Sequence, residues 1–74
     1  MKRYSMQYES DLTSSNSNRH VYGFASSMKT AKGYIGKCRR ERAEENPRRF
    51  MVFDHWADVD PNTDYVPCVY FEEA

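Results

Sequence analysis

The sequence predicts an α+β fold in the order ββαββ, with a four-stranded, largely antiparallel sheet and one helix packed on one face. Three observations predict it. Apolar and polar residues alternate near the N-terminus with the period of a strand. One central segment carries apolar residues at helical spacing. Two aromatic-rich segments then follow, divided by residues that favour a turn. The whole chain of 74 residues reads as a single domain with a modest core, because a chain this short buries only about 60% of the surface its unfolded form exposes.

Tyr4, Met6 and Tyr8 alternate with Arg3, Ser5 and Gln7, so Lys2 to Glu9 is expected to be a half-buried strand. Ser10 to Asn18 consists almost wholly of Ser, Asn, Thr and Asp. Such residues satisfy their own backbone locally and resist packing, which predicts a flexible polar loop. His20 to Ala25 then returns as the second strand of a long-looped hairpin. Ser26-Ser27 supplies a helix N-cap, after which Met28, Ala31, Tyr34, Ile35 and Cys38 form one apolar stripe. Asn46-Pro47 ends the helix, since a proline disfavours helical geometry in the residue before it. Its length is expected to be about 27 Å at 1.5 Å per residue. Phe50 to Val59 and Tyr65 to Glu72 read as the last two strands, on either side of a turn at Asp60-Pro61-Asn62-Thr63. Pro67 has no N–H for a ladder, which places the final strand at an edge or a bulge.

Lys and Arg balance Asp and Glu at eleven each, but the charges are segregated. Between residues 29 and 49 stand eight basic residues against Glu41, Glu44 and Glu45; beyond residue 50 stand six acidic residues and no Lys or Arg. The middle is basic and the end acidic, and this asymmetry points to a contact face more than to a catalytic centre. No run of about 18 apolar residues exists to span a membrane, and Met1-Lys2-Arg3-Tyr4 leads into polar residues. A cytoplasmic protein with no membrane partner is expected.

The basic residues concentrate on one side of the predicted helix. With Met28 at zero and 100° per residue, the apolar stripe centres near about 310°, whereas Lys29, Lys32, Lys37, Arg39 and Arg40 lie between roughly 20° and 180°. Gly33 and Gly36 fall within that arc, where each costs about 1 kcal/mol relative to alanine and lets another backbone approach. Lys29 and Lys32 also occupy the first turns, where the helix dipole favours anions. The face reads as a contact for an acidic partner, either phosphate backbone or acidic protein, or as an ordinary solvated surface.

Eleven aromatic residues exceed what one small core needs. A single helix covers a single face of the sheet, so part of the aromatic set is expected on the other. An open face of that kind suits a protein interface or a homodimer, and Trp56 is a candidate anchor. Base stacking is the nucleic-acid use of the same surface.

Chemistry requiring clustered ligands or a nucleophile is not indicated. His20, Cys38, His55 and Cys68 lack the close pairing of structural zinc ligands, and they read as packing or surface residues. The two thiols are expected to be reduced and buried, with a single disulfide between them as the alternative reading. Cys38 lies on the apolar stripe, where a thiol is normally inert. Asp58, Asp60, Asn62 and Asp64 are spaced like the opening of a calcium loop. Thr63 replaces the sharp-turn glycine, however, Val69 falls on the bidentate position and Pro61 interrupts the run, so a hairpin turn is the expected structure. Neither a catalytic set nor a metal or cofactor site is predicted.

The run Ala25-Ser26-Ser27-Met28-Lys29-Thr30-Ala31-Lys32, followed by Ile35 and a hairpin from Phe50 to Glu72, resembles a group of small bacteriophage-encoded proteins. That group has a polar first hairpin, an Ala-Ser helix start and a C-terminal hairpin, and it includes a type I-F anti-CRISPR inhibitor. The resemblance implies one helix on an antiparallel sheet. It also implies a non-enzymatic inhibitor that binds a host protein or ribonucleoprotein complex through the basic helix face, here Lys29, Lys32, Lys37, Arg39 and Arg40; Trp56 is added from the residues alone as an aromatic anchor. The alternative from the residues alone is a small nucleic-acid-binding regulator using the same helix.

Overall fold

A computed structural model of the chain describes residues 2–10, 19–57 and 66–73. Strand β1 spans Tyr4–Ser10 and β2 spans Arg19–Ala25; helix α1 runs Met28–Glu41; β3 covers Pro47–Asp54 and β4 Cys68–Glu73. The strands form one sheet in the order β2-β1-β3-β4, and every neighbouring pair is antiparallel. The expected ββαββ fold is what is observed. The two hairpins join through the pairing of β1 with β3, so the N-terminal strand and the first strand after the helix are the central pair.

Helix α1 begins where the sequence indicates. Ser27 has extended backbone geometry and its hydroxyl accepts the Thr30 N–H at 3.2 Å, satisfying one of the donors a helix start leaves open. Ala31, Ile35 and Cys38 are buried along the inner face, joined by half-buried Met28 and Tyr34. They pack on Met6, Tyr8, Phe50 and Val52 to form the core. Phe50 is fully buried, and truncating such a ring costs about 3–5 kcal/mol through lost transfer energy and the cavity left behind.

The end of the helix differs from expectation. It stops at Glu41, making it about 21 Å long; the Arg42 N–H closes the last turn on the Cys38 carbonyl. Ala43–Glu45 wind more tightly as a 3-10 turn, and Asn46 adopts a left-handed conformation at φ 51°. Pro47 disfavours right-handed helical geometry in its predecessor, and the chain leaves that geometry at Asn46; β3 starts at Pro47 itself rather than at Phe50. A proline is tolerated at a strand's first residue because it need not donate there.

β3 also ends earlier than expected, at Asp54, where the Trp56 N–H turns back to the Asp54 carboxylate at 3.0 Å. The Asp54 N–H donates to the Pro67 carbonyl at 3.1 Å. Pro67 thus lies just ahead of edge strand β4, beside a register shift between Val52 and Phe53. The polar stretch from Asp11 to Asn18 and the acidic turn from Asp58 to Asp64, with its calcium-like spacing, lie outside the described residues. No helix among the described residues is long and apolar enough to cross a membrane.

Candidate binding surfaces

α1 shields one face of the sheet, which leaves two surfaces for binding: the outer side of α1 and the opposite face of the sheet.

On α1 the cationic residues divide into two sets. Arg39 and Lys32 lie toward β4. Arg39 forms a salt bridge with Glu72 and places its guanidinium 4.9 Å from the centre of the Phe50 ring, while the Lys32 ammonium stands 4.4 Å above the Tyr70 ring. Tyr70 in turn donates its hydroxyl to Glu72 at 2.8 Å, a bond that raises the phenol above its ordinary pKa. These four side chains close the seam between helix and edge strand. The acidic end of the chain therefore neutralises part of its basic middle.

Lys29, Lys37 and Arg40 form the second set. All three are exposed, and none makes a salt bridge with another described residue. They fall within roughly 80° of one another around the helix and span about 16 Å along it. Gly33 lies among them with nothing within 4 Å of the position a β-carbon would take, and the Arg40 guanidinium approaches the corresponding point on Gly36 at 3.8 Å. The helix thus presents bare backbone flanked by three cations.

The far end of α1 and the 3-10 turn that follows it are held from other strands. Tyr22 on β2 donates its hydroxyl to Glu41, and Tyr8 on β1 donates to Glu45 at 3.0 Å. Hydrogen bonding to Glu41, reinforced by burial, pushes the Tyr22 phenol up to about 12. For Tyr8, burial is the larger cause of an upward shift and the bond to Glu45 the next. A β-carbon at Gly23 would come within 3.3 Å of the Tyr34 ring, so the glycine lets that ring lie close against β2.

The open face is a grid. Directly paired residues point the same way, so Phe24, Ser5, Phe53 and Cys68 form one row across the four strands. Val21, Gln7, Met51 and Phe71 form the next, and Arg19, Glu9, Arg49 and Glu73 the third. Phe24 is 45% exposed, Val21 54% and Phe71 53%. In the third row Glu9 is bridged to Arg19 and to Arg49, each at 3.2 Å, and Arg49 also reaches Glu73 at 3.4 Å. Positive and negative side chains alternate from one sheet edge to the other.

At the opposite end of the open face, the His55 Nε2 lies 2.7 Å from the Ser5 hydroxyl, a spacing found in nucleophile–base pairs. Ser5 is only 1% exposed, and the His55 ring also stands 6.4 Å from that of Phe24. The pair packs on the sheet surface, where Ser5 keeps almost no exposed area of its own. No group of three or more His, Cys, Asp or Glu side chains suited to a metal occurs among the described residues.

Trp56 is 65% exposed, in the turn after β3, so it does not belong to the cationic face of α1. Both cysteines are free, Cys38 buried and Cys68 exposed. The exposure of Cys68 departs from the expected pair of buried thiols, because its strand is an edge strand and the residue points to the uncovered face. Burial pushes the Cys38 thiol up to about 11. At Asp54, paired with Arg3 through two hydrogen bonds, the guanidinium holds the carboxyl below its ordinary value. No protein-family model matches the chain, nor does any curated protein or solved structure.

Proposed function

We propose that this chain is a non-enzymatic binding protein of phage or mobile-element type, which docks the outer face of α1 on an acidic surface of a host macromolecular complex and thereby inhibits it. The observation that carries this reading is the set Lys29, Lys37 and Arg40, exposed beside a bare glycine backbone and unpaired with any described acidic residue. Desolvated contacts between such cations and carboxylates give orientation and rate of association as well as affinity. The resemblance at Ala25 to Lys32 supplies the class of target, a subunit of a type I-F CRISPR surveillance complex in the host cytoplasm. Trp56, so exposed beside its turn, suits a secondary anchor.

An acidic protein surface is favoured over a phosphate backbone because Arg39 is already committed to Glu72 and Lys32 lies close over the Tyr70 ring at 4.4 Å, whereas Lys37 stands farther from a ring, 6.0 Å from that of Tyr34. Three remaining cations predict a salt slope of only about −2.7 on duplex DNA, at about −0.9 per neutralised phosphate. The test combines co-elution with the purified surveillance complex and a titration of duplex DNA and RNA at rising salt. Co-elution that the triple variant K29E/K37E/R40E abolishes is expected, with weak nucleic-acid binding. Tight duplex binding with a slope steeper than about −5 would instead make the protein a nucleic-acid regulator.

A further inference from the structure

We propose that the open face of the sheet takes a second copy of this chain, in a face-to-face dimer whose two-fold axis runs parallel to the strands between β1 and β3. The order of charges in one row selects this arrangement and the exposed apolar side chains at the sheet edges favour it, independently of what α1 binds.

Rotation about such an axis keeps position along the strands and reverses position across them. Each row therefore lies over itself in the opposite sense, β2 above the partner's β4 and β1 above its β3. The charged row reads Arg19, Glu9, Arg49, Glu73. Reversed onto itself, it sets Arg19 over a second Glu73 and Glu9 over a second Arg49, and the two remaining positions repeat these pairs. All four positions meet an opposite charge. A row of four alternating charges is its own complement only when read backwards, so the pattern selects this axis. An axis perpendicular to the strands would carry the charged row to the far end of the face, over Phe24 and Phe53.

The same operation places Val21 over a second Phe71 and Gln7 over a second Met51. Val21 and Phe24 on β2 and Phe71 on β4 are each about half exposed, so the face carries apolar surface along both of its edges, with Gln7 and the buried Met51 between them. Burying that surface supplies the driving force, and the charged row fixes direction and register. Two sheets packed in this way keep their strands within about 30° of each other and about 10 Å apart, a gap that long Arg and Glu side chains bridge. The face measures roughly 14 Å between its outer strands, at the small end of specific interfaces. A concentration-dependent dimer is expected, with its two α1 helices on opposite outer sides.

Sedimentation equilibrium on the full chain, from about 1 μM to about 500 μM, tests the proposal. The mass is expected to rise from 8.8 kDa toward twice that value. F71D, at an exposed position, is expected to keep its circular dichroism and remain monomeric throughout. A second variant inverts the whole row: R19E, E9R, R49E and E73R together. It preserves alternation within the chain, so it is expected to dimerise with itself at least tenfold better than with wild type, a ratio read by energy transfer between labelled chains. Wild type that stays at 8.8 kDa over the full range would overturn the proposal. So would an F71D protein that dimerises as wild type does, or an inverted variant that exchanges freely with wild type; pairing through the sheet edges would produce both.

Discussion

Tyr22 donates its hydroxyl to the carboxylate of Glu41, tying the last residue of α1 to edge strand β2. A glutamate at a helix C-terminus opposes the dipole, so in isolation this residue weakens the helix it ends. The phenol supplies the compensation from outside. Tyr22→Phe is expected to lower stability by about 1 kcal/mol, read as a shift in the urea midpoint. Glu41→Gln keeps an acceptor and removes the unfavourable charge, so its cost should be smaller. A loss in Glu41→Gln with none in Tyr22→Phe would show that the charge of Glu41, rather than the hydrogen bond, holds the helix end.

Stability is expected to fall with rising pH above about 9. Folding raises the Cys38 thiol from 9.0 to about 11 and the Tyr22 phenol from 10.0 to about 12. In each interval the unfolded chain has released a proton that the folded chain retains, and stability declines wherever the folded state binds more protons. The contribution is complete below the unfolded values and lost as pH climbs through the folded ones. Urea midpoints at about pH 8, 10 and 11.5 check this. Cys38→Ala should remove the earlier part of the decline, and a midpoint that holds steady to about pH 11 would contradict the assignment.

The two thiols are expected to differ sharply toward a disulfide reagent. Cys68 is exposed and Cys38 is buried, and only accessible thiolate reacts. One thiol per chain should titrate at once near neutral pH, and the second only as the helix lifts from the sheet. Cys68→Ser should abolish the fast phase. Two equally fast thiols would mean that α1 does not cover Cys38 as described.

Gly33→Ala is expected to stabilise the protein by about 0.5–1 kcal/mol, because alanine is the better helix former and the added methyl meets open space. If α1 docks through its bare backbone, the same change should weaken partner binding while raising the thermal midpoint. A variant that gains stability and binds unchanged would place the contact elsewhere on the helix.

Much of this fold was legible in the sequence because its local signals agree. The Tyr4, Met6, Tyr8 alternation, the Ser27 cap and the apolar stripe from Met28 to Cys38 each report a period or a cap that packing then uses. Element ends were less legible. Nothing near Glu41 states that the helix stops there, since Glu41 is held by Tyr22 and Glu45 of the following 3-10 turn by Tyr8, both from other strands, and β3 starts at Pro47 after Asn46 takes a left-handed turn. The cationic residues of α1 were visible as a face. Their division into a pair held by Tyr70 and Glu72 and a set with no described carboxylate partner was not, because it depends on a strand arriving from some thirty positions away. The charge row had the same obstacle: Glu9, Arg19, Arg49 and Glu73 line up only once the order β2-β1-β3-β4 is known.

The central claim is that the exposed cations of α1 are the working surface, and phage plating tests it most directly. In a bacterium whose type I-F CRISPR system targets the infecting phage, expression of the wild-type chain should restore plating. K29E/K37E/R40E, folded by circular dichroism, should lose at least about tenfold of that effect, since each desolvated charge contact is worth about a kilocalorie per mole or more. Restoration by the triple variant equal to wild type, or no restoration by either, would contradict the claim.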